Sequence, residues 1–198
     1  MRTIAAVSIA ALAIGMAGEG LAAEPTTRPQ LKNYEAPGNL ESKYDLGCVG
    51  AEKLRNKYTP ADLYKAVSKC VESNRYEEGA FLFAVAGAYG RFDSLRVEDK
   101  TAHQALTALR MRTLGSHDQT KQAAFKEGVR KAVGTPEGLA AVCKDIVRIG
   151  PPDYYPRYMV QHGMGAFLKT GSGDGLVAGF DATAAWKQSL DSYLHCPG

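Results

Sequence analysis

The sequence predicts an all-α domain: about seven helices packed around a central apolar helix, with two disulfides. Three observations predict it. Apolar residues recur at three- and four-residue spacing in successive segments. Several of these segments open on a capping residue or a proline and end on Gly or Pro. Strand-like alternation is nearly absent, with Leu176-Val177-Ala178 the one short candidate.

The elements follow in order. Thr59-Pro60-Ala61-Asp62 supplies an N-cap, a proline at the first helical position and an acid at the third. Leu63, Val67, Cys70 and Val71 then mark an amphipathic helix over 61–73. After a turn at Asn74-Arg75, residues 76–89 are apolar on every side, which fits a central helix wrapped by its neighbours. Its small residues, Ala80, Ala84, Gly87 and Ala88, allow close approach of those neighbours. Gly90-Arg91-Phe92-Asp93 is read as the break after it. A third helix is expected over 97–113, with Ala102, Leu106, Leu109 and Met111 inside. Ser116 and Gln119 form a capping-box pattern for a fourth, running to Val133 and stopped by Gly134. Thr135-Pro136-Glu137 opens a fifth, with Leu139, Val142, Cys143, Ile146 and Val147 as its inner face, and Gly150-Pro151-Pro152 ends it. A sixth is expected from Asp153-Tyr154-Tyr155-Pro156 through Met159, Val160, Met164 and Phe167. Asp181 caps the last helix, where Trp186 covers the edge of the core.

The N-terminus reads as a secretory signal peptide over 1–23. Arg2 precedes an apolar run of roughly 13 residues, and small residues end at Gly20-Leu21-Ala22-Ala23. That run is short of the roughly 20 residues a spanning helix needs, so cleavage after Ala22 or Ala23 is expected, with periplasmic localisation and no membrane segment in the mature chain. Residues 24–43, with three prolines and few aliphatics, are read as an extended or disordered leader, and 44–198 as one helical domain. The net charge of +3 and the lack of a dense Lys/Arg stripe argue against a nucleic-acid partner.

Four cysteines, Cys48, Cys70, Cys143 and Cys196, form an even set suited to two disulfides in an exported protein. Three connectivities are open. Cys48–Cys70 with Cys143–Cys196 is expected, because each bridge ties a chain end to a nearby helix. The closest pair is 22 positions apart, far wider than the ligand pairs of a zinc site.

No catalytic, metal or cofactor constellation is read from the sequence. His103, His117, His162 and His195 are scattered, and no Gly-x-Ser-x-Gly elbow occurs. The glycines from Gly171 to Gly175 follow a helix rather than a strand, so they lack the context of a dinucleotide loop. Two segments stand out as candidate partner-binding surface: Tyr154, Tyr155, Arg157 and Tyr158 in a proline frame, and Arg91, Phe92 and Asp93 at the tip after the central helix. Tyr and Arg are enriched at binding hot spots. The alternative role for the tyrosines is to close the core over a helix start.

The segments 61–70, 74–84, 88–93 and 99–106 resemble a family of small exported bacterial proteins, the periplasmic immunity proteins that accompany phospholipase (lipase) effectors of type VI secretion. The segments that carry the resemblance lie within residues 61–106. It implies a helical inhibitor that sequesters a secreted toxin, and it assigns no contact residues. Two other functions are carried beside it: an envelope hydrolase assembled from distant residues such as His103, His162 and Asp153, and a helical scaffold of the cell envelope.

Overall fold

A computed structural model of the chain describes residues 36–169 and 173–196. The expected signal peptide, most of the expected leader, and Gly171 and Ser172 lie outside the described residues. Eight α-helices occur among the described residues: α1 (Pro60–Glu72), α2 (Tyr76–Arg96), α3 (Ala105–Gly115), α4 (Gln119–Val133), α5 (Pro136–Ile149), α6 (Arg157–Val160), α7 (Met164–Leu168) and α8 (Ala182–Ser189). The all-α class holds, and the only β pairing among the described residues is a single antiparallel bridge between Val97 and Leu176.

The amphipathic α1 begins as its residues dictate. Thr59 accepts from the Asp62 amide, Asp62 returns the bond to Thr59, and Pro60 occupies the first turn. Leu63, Val67, Cys70 and Val71 are fully buried against α2. Each such side chain contributes about 1.5–3 kcal/mol of burial free energy. Helix α2 is the hub, packing on α1, α4 and α8, and Ala80, Leu82, Val85, Ala86, Ala88 and Tyr89 are buried around it. A methyl at Gly87 would overlap the Tyr193 ring and hydroxyl. Gly87→Ala is therefore expected to cost about 1–3 kcal/mol by overpacking. Urea unfolding measures this, and an unchanged midpoint would show that Tyr193 moves aside freely.

Both expected disulfides are present. Cys48–Cys70 ties the N-terminal segment to α1, and Cys143–Cys196 ties the C-terminal end to α5.

Four boundaries differ from the sequence reading. Helix α2 continues to Arg96, because Gly90 is a packing position rather than a stop: the Leu106 side chain fills the space where a Cβ would lie. A 3-10 turn over Lys100–Gln104 precedes α3. Asp118, not Ser116, caps α4 by accepting from the Lys121 amide; its charge also complements the helix dipole. The expected sixth helix is two short ones, α6 and α7. The Asp99 carboxylate occupies the space beside Gly163 and captures the Gly165 amide, which starts a new helix there. The folded unit also begins earlier than Tyr44: Leu40 is buried, and its amide donates to the Tyr158 carbonyl. Residues 36–44 thus form a strap lying on the helices rather than a free leader.

Candidate functional site

The Pro-Tyr segment is built around a buried carboxylate. Asp93, in the last turn of α2, is fully buried. Its Oδ2 accepts from Tyr158 at 2.7 Å and Tyr154 at 3.0 Å, and its Oδ1 accepts from Arg96 Nε at 2.9 Å. Arg96 Nη2 lies 2.7 Å from that same oxygen but off the hydrogen-bond direction. The guanidinium stacks over the Phe92 and Tyr154 rings, 5.0 Å from each centroid. Burial pushes the Asp93 carboxyl up, against the opposing pull of Arg96 and the tyrosine hydroxyls. Burial first, and then Asp93, hold Tyr154 and Tyr158 protonated well above their usual range, so both remain donors.

This geometry corrects the predicted contact surface. Phe92, Asp93 and Tyr158 are buried, Arg91 is half-buried within α2 rather than at a tip, and Tyr154 closes the core. Only Tyr155 and Arg157 of the seven are exposed, and they face different parts of the surface.

Tyr155 belongs to a shallow groove with Gly165, Ala166 and Lys169 of the α7 region and with residues 173–175. Its hydroxyl donates to the Asp174 carbonyl at 2.6 Å. No residue of α7 is buried, and Met164, Phe167 and Leu168 are 49, 47 and 57 % exposed. The sequence reading placed Met164 and Phe167 inside a single long helix. Splitting that helix at Gly163 turns them outward instead.

Asp99 and Thr101 hold α7 in place. The Gly165 amide donates to Asp99 Oδ2 at 2.8 Å and the Met164 amide to Thr101 Oγ1 at 2.8 Å. The Thr101 hydroxyl, ahead of the backbone amides, pulls the Asp99 carboxyl below its ordinary value. A depressed pKa contributes stability that is present above the ordinary aspartate value of about 4 and lost as pH falls through the lower native value. Acid is therefore expected to release α7 locally. The Met164 and Gly165 amide resonances should shift on titration below that range, and Asp99→Ala should reproduce the released positions at neutral pH. Amides indifferent to both changes would refute the anchor.

On another face the strap, α1 and α3 enclose a cleft of about 830 Å³. Asp62 fixes the strap: Oδ1 accepts from Ser42 Oγ and the Lys43 and Tyr44 amides, while Oδ2 accepts from the Thr59 amide and hydroxyl. Arg157 packs over Gly38, where the positive φ of 95° suits glycine, and donates to the Pro37 carbonyl at 3.1 Å. Lys65, Arg112 and Arg157 line the cleft against a single acid, Glu41, over a floor that includes Tyr64 and Leu109.

At the edge of this cleft Ser68 Oγ and His117 Nε2 are 3.0 Å apart. The two residues are 49 positions apart in sequence, which is why no local motif disclosed them. His103 instead faces the Val97 carbonyl at 3.2 Å, and His162 Nδ1 faces Asn39 Oδ1 at 2.8 Å. Among the described residues no three His, Cys, Asp or Glu side chains are grouped to hold a metal ion, and no helix is long and apolar enough to cross a membrane. Neither the known protein families, nor curated proteins, nor solved structures include a match to this chain.

Proposed function

We propose that this chain is an exported binding protein, an inhibitor that neutralises a secreted toxin in the periplasm, with a type VI phospholipase or lipase effector as the partner class. The observation that carries the reading is the α7 face. A domain fixed by two disulfides presents Met164 and Leu168 exposed on an anchored short helix, and the exposed Tyr155 lines a groove with Gly165 and Ala166 of that helix. Exposed apolar clusters of this kind are common at protein–protein contacts. The bridges support it further, since a preorganised scaffold lowers the ordering cost of association, and disulfides belong to exported chains. The immunity role rests on the sequence resemblance.

Its test is direct. A type VI phospholipase or lipase effector is mixed with the chain, and complex formation and residual lipase activity are measured. A stoichiometric complex that suppresses activity supports the proposal. Leu168→Asp should weaken that complex at least tenfold, and absence of any complex would overturn the reading.

A second reading is favoured by the Ser68–His117 contact. A serine within hydrogen-bond reach of a histidine is the core of an activated nucleophile. In a hydrolase of that kind His117 takes the Ser68 proton as Oγ adds to an ester carbonyl held in the adjoining cleft, returns it to the departing alcohol oxygen as the ester C–O bond breaks, and then activates the water that frees the acyl group from Ser68. Ester turnover abolished by Ser68→Ala would establish it; turnover equal in that variant would not.

A further inference from the structure

The cleft under the strap has a chemistry that the α7 face lacks. It is concave, with a volume of about 830 Å³, in the range of sites that enclose a ligand rather than a flat contact. Its ionisable lining is one-sided: Lys65, Arg112 and Arg157 against Glu41. The three cations differ in how far they are already occupied. Lys65 pairs with Asp45 at 3.5 Å in an exposed contact, and Arg157 is tied to the Pro37 carbonyl. Arg112, on the exposed side of α3, makes no ion pair or side-chain hydrogen bond among the described residues. Ser68 and Ser116, also in the lining, have their hydroxyls engaged, Ser116 donating to the Thr113 carbonyl and Ser68 facing His117 Nε2, so recognition of an anion falls to the cations.

We infer that this cleft receives an acidic, extended segment of the partner protein, with a carboxylate of that segment paired to Arg112. The inference rests on the binding reading above and adds a second contact to it. The geometry selects the occupant class. A concave site of about 830 Å³ admits a protruding chain segment. The excess of cations in the lining favours a negatively charged chain over a neutral one. Arg112 is the residue whose planar guanidinium is left to take a carboxylate in two parallel hydrogen bonds.

Fluorescence anisotropy with the purified, oxidised full-length chain tests it, using a labelled ten-residue peptide of alternating Glu, Ser and Leu. Saturable binding is expected. It should weaken at least tenfold when Gln replaces every Glu in the peptide, and at least tenfold again with Arg112→Glu. Lys144→Glu, a charge reversal of equal size on α5 away from the cleft, should change it less than twofold, and circular dichroism should show both variants folded. Equal binding of the Gln peptide, or indifference to Arg112→Glu, overturns the inference. So does displacement of the peptide by vesicles of phosphatidylglycerol and phosphatidylcholine, because the cleft then serves a lipid headgroup. The effector complex separates the two proposals. An effector that binds wild type and Arg112→Glu alike sinks the cleft and leaves the inhibitor reading standing. Peptide binding without effector binding does the reverse.

Discussion

Asp93→Ala is expected to destabilise the fold by about 3–5 kcal/mol, the scale for breaking a buried ion pair and leaving its partner charge uncompensated. Domains of this size have about 5–15 kcal/mol in total, so the variant should unfold at a much lower denaturant concentration. The loss has three sources: Arg96 is left nearly buried without its carboxylate, and the Tyr154 and Tyr158 hydroxyls lose their acceptor. Tyr158→Phe removes only one donor and should cost about 1 kcal/mol. The discriminating measurement is a double-mutant cycle. Asp93→Ala with Arg96→Met should recover part of the single-variant loss, because the stranded cation is gone. Strict additivity would show that the two charges do not act as a pair.

Asp93 and Asp99 respond to acid in opposite senses. Burial raises the Asp93 pKa, so its contribution to stability is fully present below the ordinary aspartate value and is lost as pH rises through the raised native one. For Asp99 the sign is reversed. Acid below the ordinary aspartate range should therefore loosen the α7 end while the Asp93 contribution is retained.

The sequence disclosed what depends on local rules. The caps at Thr59, Thr135 and Asp181 are where the residues place them, and the apolar span from Gly79 to Tyr89 is the hub. Cysteine parity and position led to the observed pairing. Several errors share one cause: a residue whose local tendency is overridden from far along the chain. Gly90 looked like a stop until Leu106 packed over it, and Gly163 looked like part of a helix until Asp99 capped the next one. Val147 and Met111 fit the helical period yet are 59 and 69 % exposed, because a periodic face can be wider than the surface available to cover it. Arg91, Phe92 and Asp93 were read as a surface tip, because nothing local announces that Asp93 will be met by two tyrosines 61 and 65 residues downstream. The cleft was invisible for the same reason, since its walls come from the strap, α1, α3 and Arg157.

Removing both disulfides is the other change with a large expected effect. The Cys48–Cys70 bridge closes a separation of 22 residues and Cys143–Cys196 one of 53. In the chain-entropy account these loops restrict the unfolded state by roughly 3 and 4 kcal/mol. The bridges share no residue and close loops that do not overlap in sequence, so their losses should be close to additive. A variant with all four cysteines replaced by alanine should therefore lose about 7 kcal/mol, comparable with the whole stability of many domains. It should be largely unfolded at 37 °C by circular dichroism, while each single-bridge variant remains folded but weakened. The longer loop gives Cys143→Ala/Cys196→Ala the larger entropic loss. Cys70, however, is wholly buried against Gly79, so Cys48→Ala/Cys70→Ala also sheds sulfur contacts in the core and should narrow that gap. A protein with this dependence reaches its native state only where thiols are oxidised, which ties folding to the compartment in which the proposed toxin would be met. A four-alanine chain as stable as the native one would remove that tie.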